Sequence, residues 1–330
     1  MGIFSLNKSD LEKIIDYNEI IDVVEQSFAD YNSGKAVIPP VTNLDIEERE
    51  GEIHIKSSHI PGYDNYCIKI ASGFYKNRES GLPIGYGMML LFSSETGFLN
   101  AILFDEGLLT DLRTAAAGAV AAKYLSRTDI DSAGVIGTGV QGRLQIRFLK
   151  LVRDFRKVFF YDIDASFALD YLNEMQNLLP GIELINCDSP EDVVRNSDIL
   201  ITSTPSKKPV VQESWLKQGM HITAMGSDGP DKQEIDAKVL KMCDKVVADH
   251  LGQCCRLGEI HHAVDNEGFN TDDVHAELGE LVLKTRPGRE SDNEITLCDL
   301  TGVAVQDLAI SNWALKKAAA MKLGREIDLG

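Results

Sequence analysis

The chain has 330 residues, 44% of them hydrophobic, and 33 Lys plus Arg against 51 Asp plus Glu give a formal net charge of −18. At roughly 150 residues per domain this length predicts two domains with sizeable cores. A field of that sign repels phosphate backbones and anionic lipid surfaces, so neither nucleic acid nor a membrane is expected as a partner. The longest apolar run, at 85–92, is of strand length and falls short of the roughly 18 residues of a membrane helix. The first residues carry acids where a signal peptide would be apolar. Six cysteines, at 67, 187, 243, 254, 255 and 298, show neither CxxC pairs nor the density of a disulfide scaffold. A reducing cytoplasm is expected.

In chain order, the first 127 residues predict two helices, at 7–15 and 17–33, and strands near 52–60, 66–74, 85–92 and 98–104. This reads as a smaller α+β domain. From Ser132 to Leu300, β-branched runs alternate with helix-like stretches; the strands expected are 132–137, 157–162, 182–187, 198–204, 221–226, 245–250 and 294–300. Several are near-continuous apolar runs, as in a parallel sheet covered on both faces, so this half is read as an α/β doubly wound domain. The polar, acidic segment 264–293 is expected to be a surface excursion. Helical signals return after Gly302 and run to about Lys322, placing a last helix against the first domain and making that domain discontinuous.

Gly137-Thr138-Gly139-Val140-Gln141-Gly142 follows a strand and opens a helix, so that its N–H groups and the helix N-terminus can face a pyrophosphate. A lone GxGxxG is a weak signal. Here the next strand ends at Asp162, about twenty residues on, where a carboxylate can accept from both ribose hydroxyls and would repel a 2′-phosphate. The combination predicts a Rossmann domain that binds NAD rather than NADP. The ends of the following strands add Thr204 and the stretch Met225, Gly226, Ser227 as cofactor contacts, and Gly302 beyond the last strand joins them. A simple loop turn is the alternative for Thr204.

Asp228 lies in a glycine-rich loop directly after the strand whose end should face the nicotinamide, and it is the first choice for an acid/base carboxylate. Lys232, four residues on, can offset its charge or touch the cofactor. Arg113 sits in LLTDLRTAAAGAVAAKYL, where Thr110 is expected to cap the helix and Asp111 suits its positive end. A cation in that first turn is electrostatically misplaced and should project into a cleft between domains to meet a carboxylate or phosphate. Lys69 shares a small, partly apolar strand face with Cys67 and Ala71, an odd place for a lysine unless it meets a ligand anion; the alternative is an edge strand. His54 and Lys56 are weaker cases of the same kind. His261-His262 do not make a metal site by themselves, and Cys254-Cys255 are read as buried thiols.

Together, Lys69, LTDLRTAAAGAVAAKYL, the GTGVQG turn, Asp162, the MGSDGPDKQE loop and DLTGVAVQD at 299–307 resemble the ornithine cyclodeaminase/mu-crystallin family over essentially the whole chain. IPG at 60–62, IKIASGFYKN, LGEIHHA and the DLTG run are most similar to a subgroup linked to ectoine utilisation. The resemblance implies a homodimer. Its substrate-binding and dimerisation domain would take residues 1–127 and 308–330, and its NAD-binding Rossmann domain residues 128–307. It also implies a carboxylate-binding pair on Lys69 and Arg113, a catalytic aspartate on Asp228, the ribose carboxylate on Asp162, turn contacts on Val140 and Gln141, and a cofactor lysine on Lys232. Two departures stand out. No arginine occurs in PPVTNLD, and the family's glutamate for a distal amine falls on His54, while Lys56 adds a cation. Ornithine is therefore not the expected substrate.

The expected chemistry is hydride transfer at the α-carbon of a small amino or imino acid, with Lys69 and Arg113, aided by Lys56, holding the carboxylate. Two outcomes remain open: cyclodeamination with NAD regenerated, or net amino acid dehydrogenation and imine reduction. A ligand-binding protein of crystallin type is the rival from another class.

Overall fold

The structure is a computed structural model and describes residues 2–328; Met1, Leu329 and Gly330, the extreme ends of the expected first domain, lie outside the described residues. The helices are α1 (Lys8–Glu12), α2 (Tyr17–Asp30), α3 (Leu108–Leu125), α4 (Val140–Val152), α5 (Ala165–Leu178), α6 (Pro190–Asn196), α7 (Ala237–Met242), α8 (Leu251–Leu257), α9 (Glu259–Glu267), α10 (Leu278–Val282) and α11 (Ala304–Ala320). The first strands are β1 (Gly2–Asn7), β2 (Thr42–Ile46), β3 (Gly51–Ser58), β4 (Asn65–Phe74), β5 (Gly85–Ser93) and β6 (Leu99–Phe104). They are followed by β7 (Ser132–Ile136), β8 (Lys157–Tyr161), β9 (Glu183–Asn186), β10 (Ile199–Thr202), β11 (Lys207–Val211), β12 (His221–Ala224) and β13 (Gln233–Ile235). The chain closes with β14 (Lys245–Ala248), β15 (Ala276–Glu277), β16 (Thr296–Asp299) and β17 (Arg325–Asp328). Among the described residues no helix is long and apolar enough to cross a membrane. The chain divides into two units, Met1–Arg113 with Val303–Gly330, and Thr114–Gly302.

The first unit is a seven-stranded sheet in the order β17-β1-β6-β5-β4-β3-β2. β1 and β17 were not expected: they pair with each other and β1 with β6, so each depends on a partner far away in sequence. Alternation along β4 sends Asn65, Cys67 and Lys69 to one face, where they are buried, and Tyr66, Ile68 and Ile70 to the other, where they stay partly exposed. α11 covers the first face along a polar seam. Asn65 Nδ2 donates to Asn312 Oδ1 at 2.9 Å, Ser311 Oγ lies 3.5 Å from Cys67 Sγ, and Lys69 Nζ donates to Asp307 Oδ1 at 3.2 Å. Helical residues four and five apart thus meet strand residues two and four apart.

The second unit is an eight-stranded parallel sheet, β15-β14-β16-β12-β10-β7-β8-β9, with the strand order reversing between β7 and β10. The expected strands are found, and the arrangement is the α/β Rossmann type. One expectation needs correction. The segment 264–293 is not merely a surface excursion, because β15 adds an edge strand to β14 and Ala276, Leu278 and Leu281 are buried. Apolar side chains hidden among acids account for the misreading.

The seam in the first unit yields a stability prediction. Asp307 lies 2.9 Å from Arg113 Nε as well as beside Lys69, and all three are almost fully buried. Asp307→Asn leaves two buried cations without the carboxylate they share, so the unfolding free energy in urea should fall by about 3–5 kcal/mol. An unaltered midpoint would show that the cations find other compensation.

Candidate active site

In the first unit the cationic candidates converge on α11. Asp307 receives Lys69 Nζ (3.0 Å to Oδ2) and Arg113 Nε (2.9 Å to Oδ1), and Arg113 Nη1 donates to Gln306 Oε1 at 3.1 Å. Burial works against the charge on Asp307, but Lys69, Arg113 and Lys56 outweigh it and hold the carboxyl below its usual range. Burial, reinforced by repulsion from Arg113 and Lys56, pushes Lys69 down to about 7 against the pull of Asp307. With Lys69 protonated, Lys69 and Arg113 together face the single Asp307 carboxylate, while Asp105 and Lys56 also act on Lys69. Gln306 Oε1 also accepts from Val303 N–H at 3.1 Å, which turns Nε2 the other way; that buried Nε2 has no hydrogen-bond acceptor. Lys56 stands directly opposite Lys69 in the β3–β4 register. His54 is on the same face, its Nδ1 2.9 Å from Asn43 Oδ1. β4 lies between β3 and β5, which removes the edge-strand alternative for Lys69.

The start of α3 differs from the expectation. Thr110 does not cap it; Leu109 N–H donates to Asp105 Oδ2 at 2.9 Å, and Leu108 N–H to Asp105 O. Glu106 and Gly107 both take positive φ, folding the chain back so that Asp105 reaches the helix. Arg113 accordingly sits in the second turn, where no macrodipole argument applies.

In the second unit, β7 runs into the turn at 137–142 and α4. Gly137 has φ +92° and its N–H donates to Tyr161 O; a Cβ on Gly142 would lie 2.2 Å from Gly137 O, so both positions require glycine. At Gly139 a Cβ would meet nothing within 4 Å, which leaves backbone open to a phosphate. Val140 begins α4 and is 59% exposed, and Gln141 Oε1 accepts from Gln145. Asp162 follows β8 and is tied to the turn: Oδ2 accepts Thr138 N–H at 2.8 Å and Thr138 Oγ1 at 2.9 Å, while Oδ1 accepts Asp164 N–H. The carboxyl of Asp164, two residues on, instead caps α5. A glycine cradle with open backbone and a carboxylate fixed beside it fits a dinucleotide without a 2′-phosphate.

The loop after β12 begins with Met225, which is buried, and Gly226 and continues through Ser227 to Asp228, whose side chain is half exposed; Lys232 Nζ donates to Asp228 Oδ1 at 2.7 Å. Thr204, past β10, and Gly226 both donate N–H to Glu234. Gly302 N–H donates to Asp249 Oδ2 at 2.7 Å, as does Thr301 N–H at 2.8 Å. His261 and His262 lie with ring centroids 3.7 Å apart and planes tilted by 41°, and their Nε2 atoms face the backbone carbonyls of Pro230 and Lys232. Burial pushes Cys254 well up, as expected of an inert buried thiol.

Four polar residues escaped the sequence reading: Gln306, Asp307, Glu234 and Asp249. The first two were visible as a polar pair inside the apolar run Val303–Ile310, where a helix has no reason to bury an acid. Burial pushes Glu234 up to about 7 against the N–H groups that it accepts, and Glu259, repelled also by Asp299 and Glu234, well above its usual range.

The sequence profile of the ornithine cyclodeaminase/mu-crystallin family matches residues 4–321. An uncharacterized cyclodeaminase of Sinorhizobium fredii is 40% identical over 321 residues, 97% of this chain and 97% of that one. Delta(1)-pyrroline-2-carboxylate reductase of Thermococcus litoralis, solved in complex with NADH and L-proline, superposes with a TM-score of 0.94 at 34% identity, covering 98% of this chain and 100% of that chain. An archaeal alanine dehydrogenase dimer with bound NAD superposes with a TM-score of 0.93 at 37% identity over 100% of both chains. Matched from end to end by the profile and by these relatives, the chain belongs to the ornithine cyclodeaminase/mu-crystallin family.

Proposed function

We propose that this chain exchanges hydride between NAD and the α-carbon of a small amino or imino acid, as a net amino acid dehydrogenase or imine reductase. The chain is an NAD-dependent enzyme of its family. The observation that carries the substrate class is the buried pair of cations, Lys69 and Arg113, on the single Asp307 carboxylate, with the unpaired Gln306 Nε2 on the same helix. A substrate carboxylate supplies a second anion for the two cations and an acceptor for that nitrogen. His54, turned to Asn43, offers no carboxylate for a distal amine, which favours a monoamine and net redox over cyclodeamination of a diamino acid. The motif resemblance places ectoine-breakdown compounds among the substrates to be screened.

In this reading the turn at 137–142, Asp162, Thr204, Met225, Gly226, Ser227, Lys232 and Gly302 hold the dinucleotide. When bound, NAD supplies the partner for hydride exchange. Lys69 and Arg113 fix the carboxylate and so orient the Cα–H bond, a contribution of positioning. Asp228 accepts a proton from the amine as the imine forms and returns it in reduction; the Lys232 ammonium orients its carboxylate.

We further propose a homodimer. The face of the first unit's sheet turned away from α11 carries Ile55, Ile68, Ile70, Met88, Leu90 and Ile102, all only partly buried, with Leu44 and Tyr86 59% and 51% exposed. A continuous apolar face of this kind is covered in solution, and a second copy of the chain matches it by symmetry. The archaeal relative solved as a dimer supports this occupant.

Asp228→Asn should lower kcat by about 10²–10⁴ with cofactor affinity retained, and wild-type turnover should change nicotinamide absorbance in stoichiometry with substrate. Turnover with no absorbance change would mean cyclodeamination instead. Lys69 gives a pH prediction. Its folded pKa is lowered to about 7, so the cation is present below that value and lost above it. The KM for a carboxylate substrate should therefore rise from pH 7 to 9, by at most about tenfold per pH unit, and the rise should vanish in Lys69→Met; a parallel rise in that variant refutes the assignment. For the dimer, Ile68→Glu with Leu90→Glu should convert the sedimenting species to a monomer, and a monomeric wild type would end the proposal.

A further inference from the structure

The loop between β12 and β13 carries Asp228 and Lys232, and one side chain draws its two ends together. Glu234, fully buried, accepts Thr204 N–H through Oε1 at 2.5 Å and Gly226 N–H through Oε2 at 2.7 Å. A single carboxylate thereby fixes the segment past β10, the entry of the loop and, from its own place in β13, the exit of the loop. The approach is close enough to demand glycine: a Cβ on Gly226 would lie 2.2 Å from Thr204 O and 2.5 Å from Glu234 Oε2. Glu234 is itself anchored, because its N–H donates to Glu259 Oε1 on α9 at 2.8 Å.

The same helix reaches the far end of the loop. His262 Nε2 donates to Lys232 O at 2.8 Å, and Ser227 Oγ donates to that carbonyl at 2.6 Å, while His261 Nε2 lies 3.1 Å from Pro230 O. Backbone in the loop is thus gripped at residues 226, 230 and 232, and the Asp228 side chain is left half exposed between the grips. The chemistry assigned above makes no use of Glu234 or His262.

We propose that Glu234 and His262 are positioning residues that form a collar on the Asp228 loop, setting the carboxylate without touching substrate or cofactor. Their effect on turnover rests on the reading of Asp228 as the acid/base group; their effect on the loop does not. In Glu234→Gln one carboxylate oxygen becomes an amide that faces an N–H donor, so one of the two grips is lost at almost unchanged volume. His262→Ala, at a partly exposed position, removes one of the two donors on Lys232 O and ties that carbonyl to Ser227 Oγ alone.

The test combines steady-state kinetics of the full-length enzyme with amide hydrogen exchange of the peptide covering 226–234. Both variants should speed exchange in that peptide at least tenfold. They should lower kcat, at least tenfold for Glu234→Gln and threefold for His262→Ala, with KM for the amino acid within twofold of wild type. A merely structural role would lower the thermal midpoint and leave kcat per folded molecule unchanged. Unaltered loop exchange in His262→Ala overturns the collar even if Glu234→Gln fails to fold. Faster exchange with full kcat, when Asp228→Asn is inactive, overturns the positioning role. If Asp228→Asn retains full turnover, the reading of Asp228 fails, and exchange alone then decides whether the collar stands.

Discussion

Two buried cations sharing one carboxylate are the constraint on which the first unit depends. Lys69 is 2% exposed and Arg113 5%, so neither can find compensation in water. Removing such charges from solvent is costly, and geometry must return what desolvation takes. Asp307 provides the geometry, because α11 lays it over β4 at the level of Lys69 while α3 brings Arg113 to its other side. The whole polar seam between α11 and β4 serves this arrangement: the pairs Asn65–Asn312 and Cys67–Ser311 fix the helix along the strand, and the helix in turn fixes Asp307.

The second unit solves a different problem by different means. A dinucleotide pyrophosphate is anionic, but the cradle at 137–142 offers backbone N–H groups and a helix start rather than a row of cations. Asp162 holds the turn in shape, since its Oδ2 receives both Thr138 N–H and Oγ1, and in the proposed reading the same carboxyl would meet the ribose. Comparable economy appears at Asp249, whose two oxygens organise Thr301 and Gly302, and at Glu234. Three acids, of which Asp249 and Glu234 are fully buried, hold backbone at the carboxyl ends of the parallel strands, where ligands of such sheets bind.

How far the amino-acid sequence discloses this depends on the distance over which each feature is encoded. The glycine turn and the carboxylate after the next strand are local signals, and both lie where spacing predicts. The strands of the parallel sheet other than β15 are legible for the same reason: each is a short apolar run bounded by turns. β1 and β17 are not, because their pairing joins the two ends of the chain. Thr110 looks like a cap in one dimension, yet the positive φ of Glu106 and Gly107 brings Asp105 to the helix instead. Asp307 is the clearest case. Lys69 stands out as a lysine on an apolar face, but its partner lies 238 residues away, and no periodicity in either segment connects them.

The overall charge of −18 sharpens the role of burial. An anionic cofactor approaches a protein whose mean field repels it, and a surface lysine would be screened within about 8–10 Å at moderate salt. A cation held inside the fold escapes that screening and acts through a medium of lower effective dielectric, so its attraction for a carboxylate is several-fold stronger than at the surface. The same burial lowers the affinity of Lys69 for its proton, which in the proposed reading would tie anion binding to pH. A guanidinium presents a planar fork of donors, so in the proposed reading the pair would divide the work: Arg113 orients the carboxylate, and Lys69 adjusts how tightly it is held. An Arg–Arg or Lys–Lys pair on Asp307 would supply one of these properties without the other.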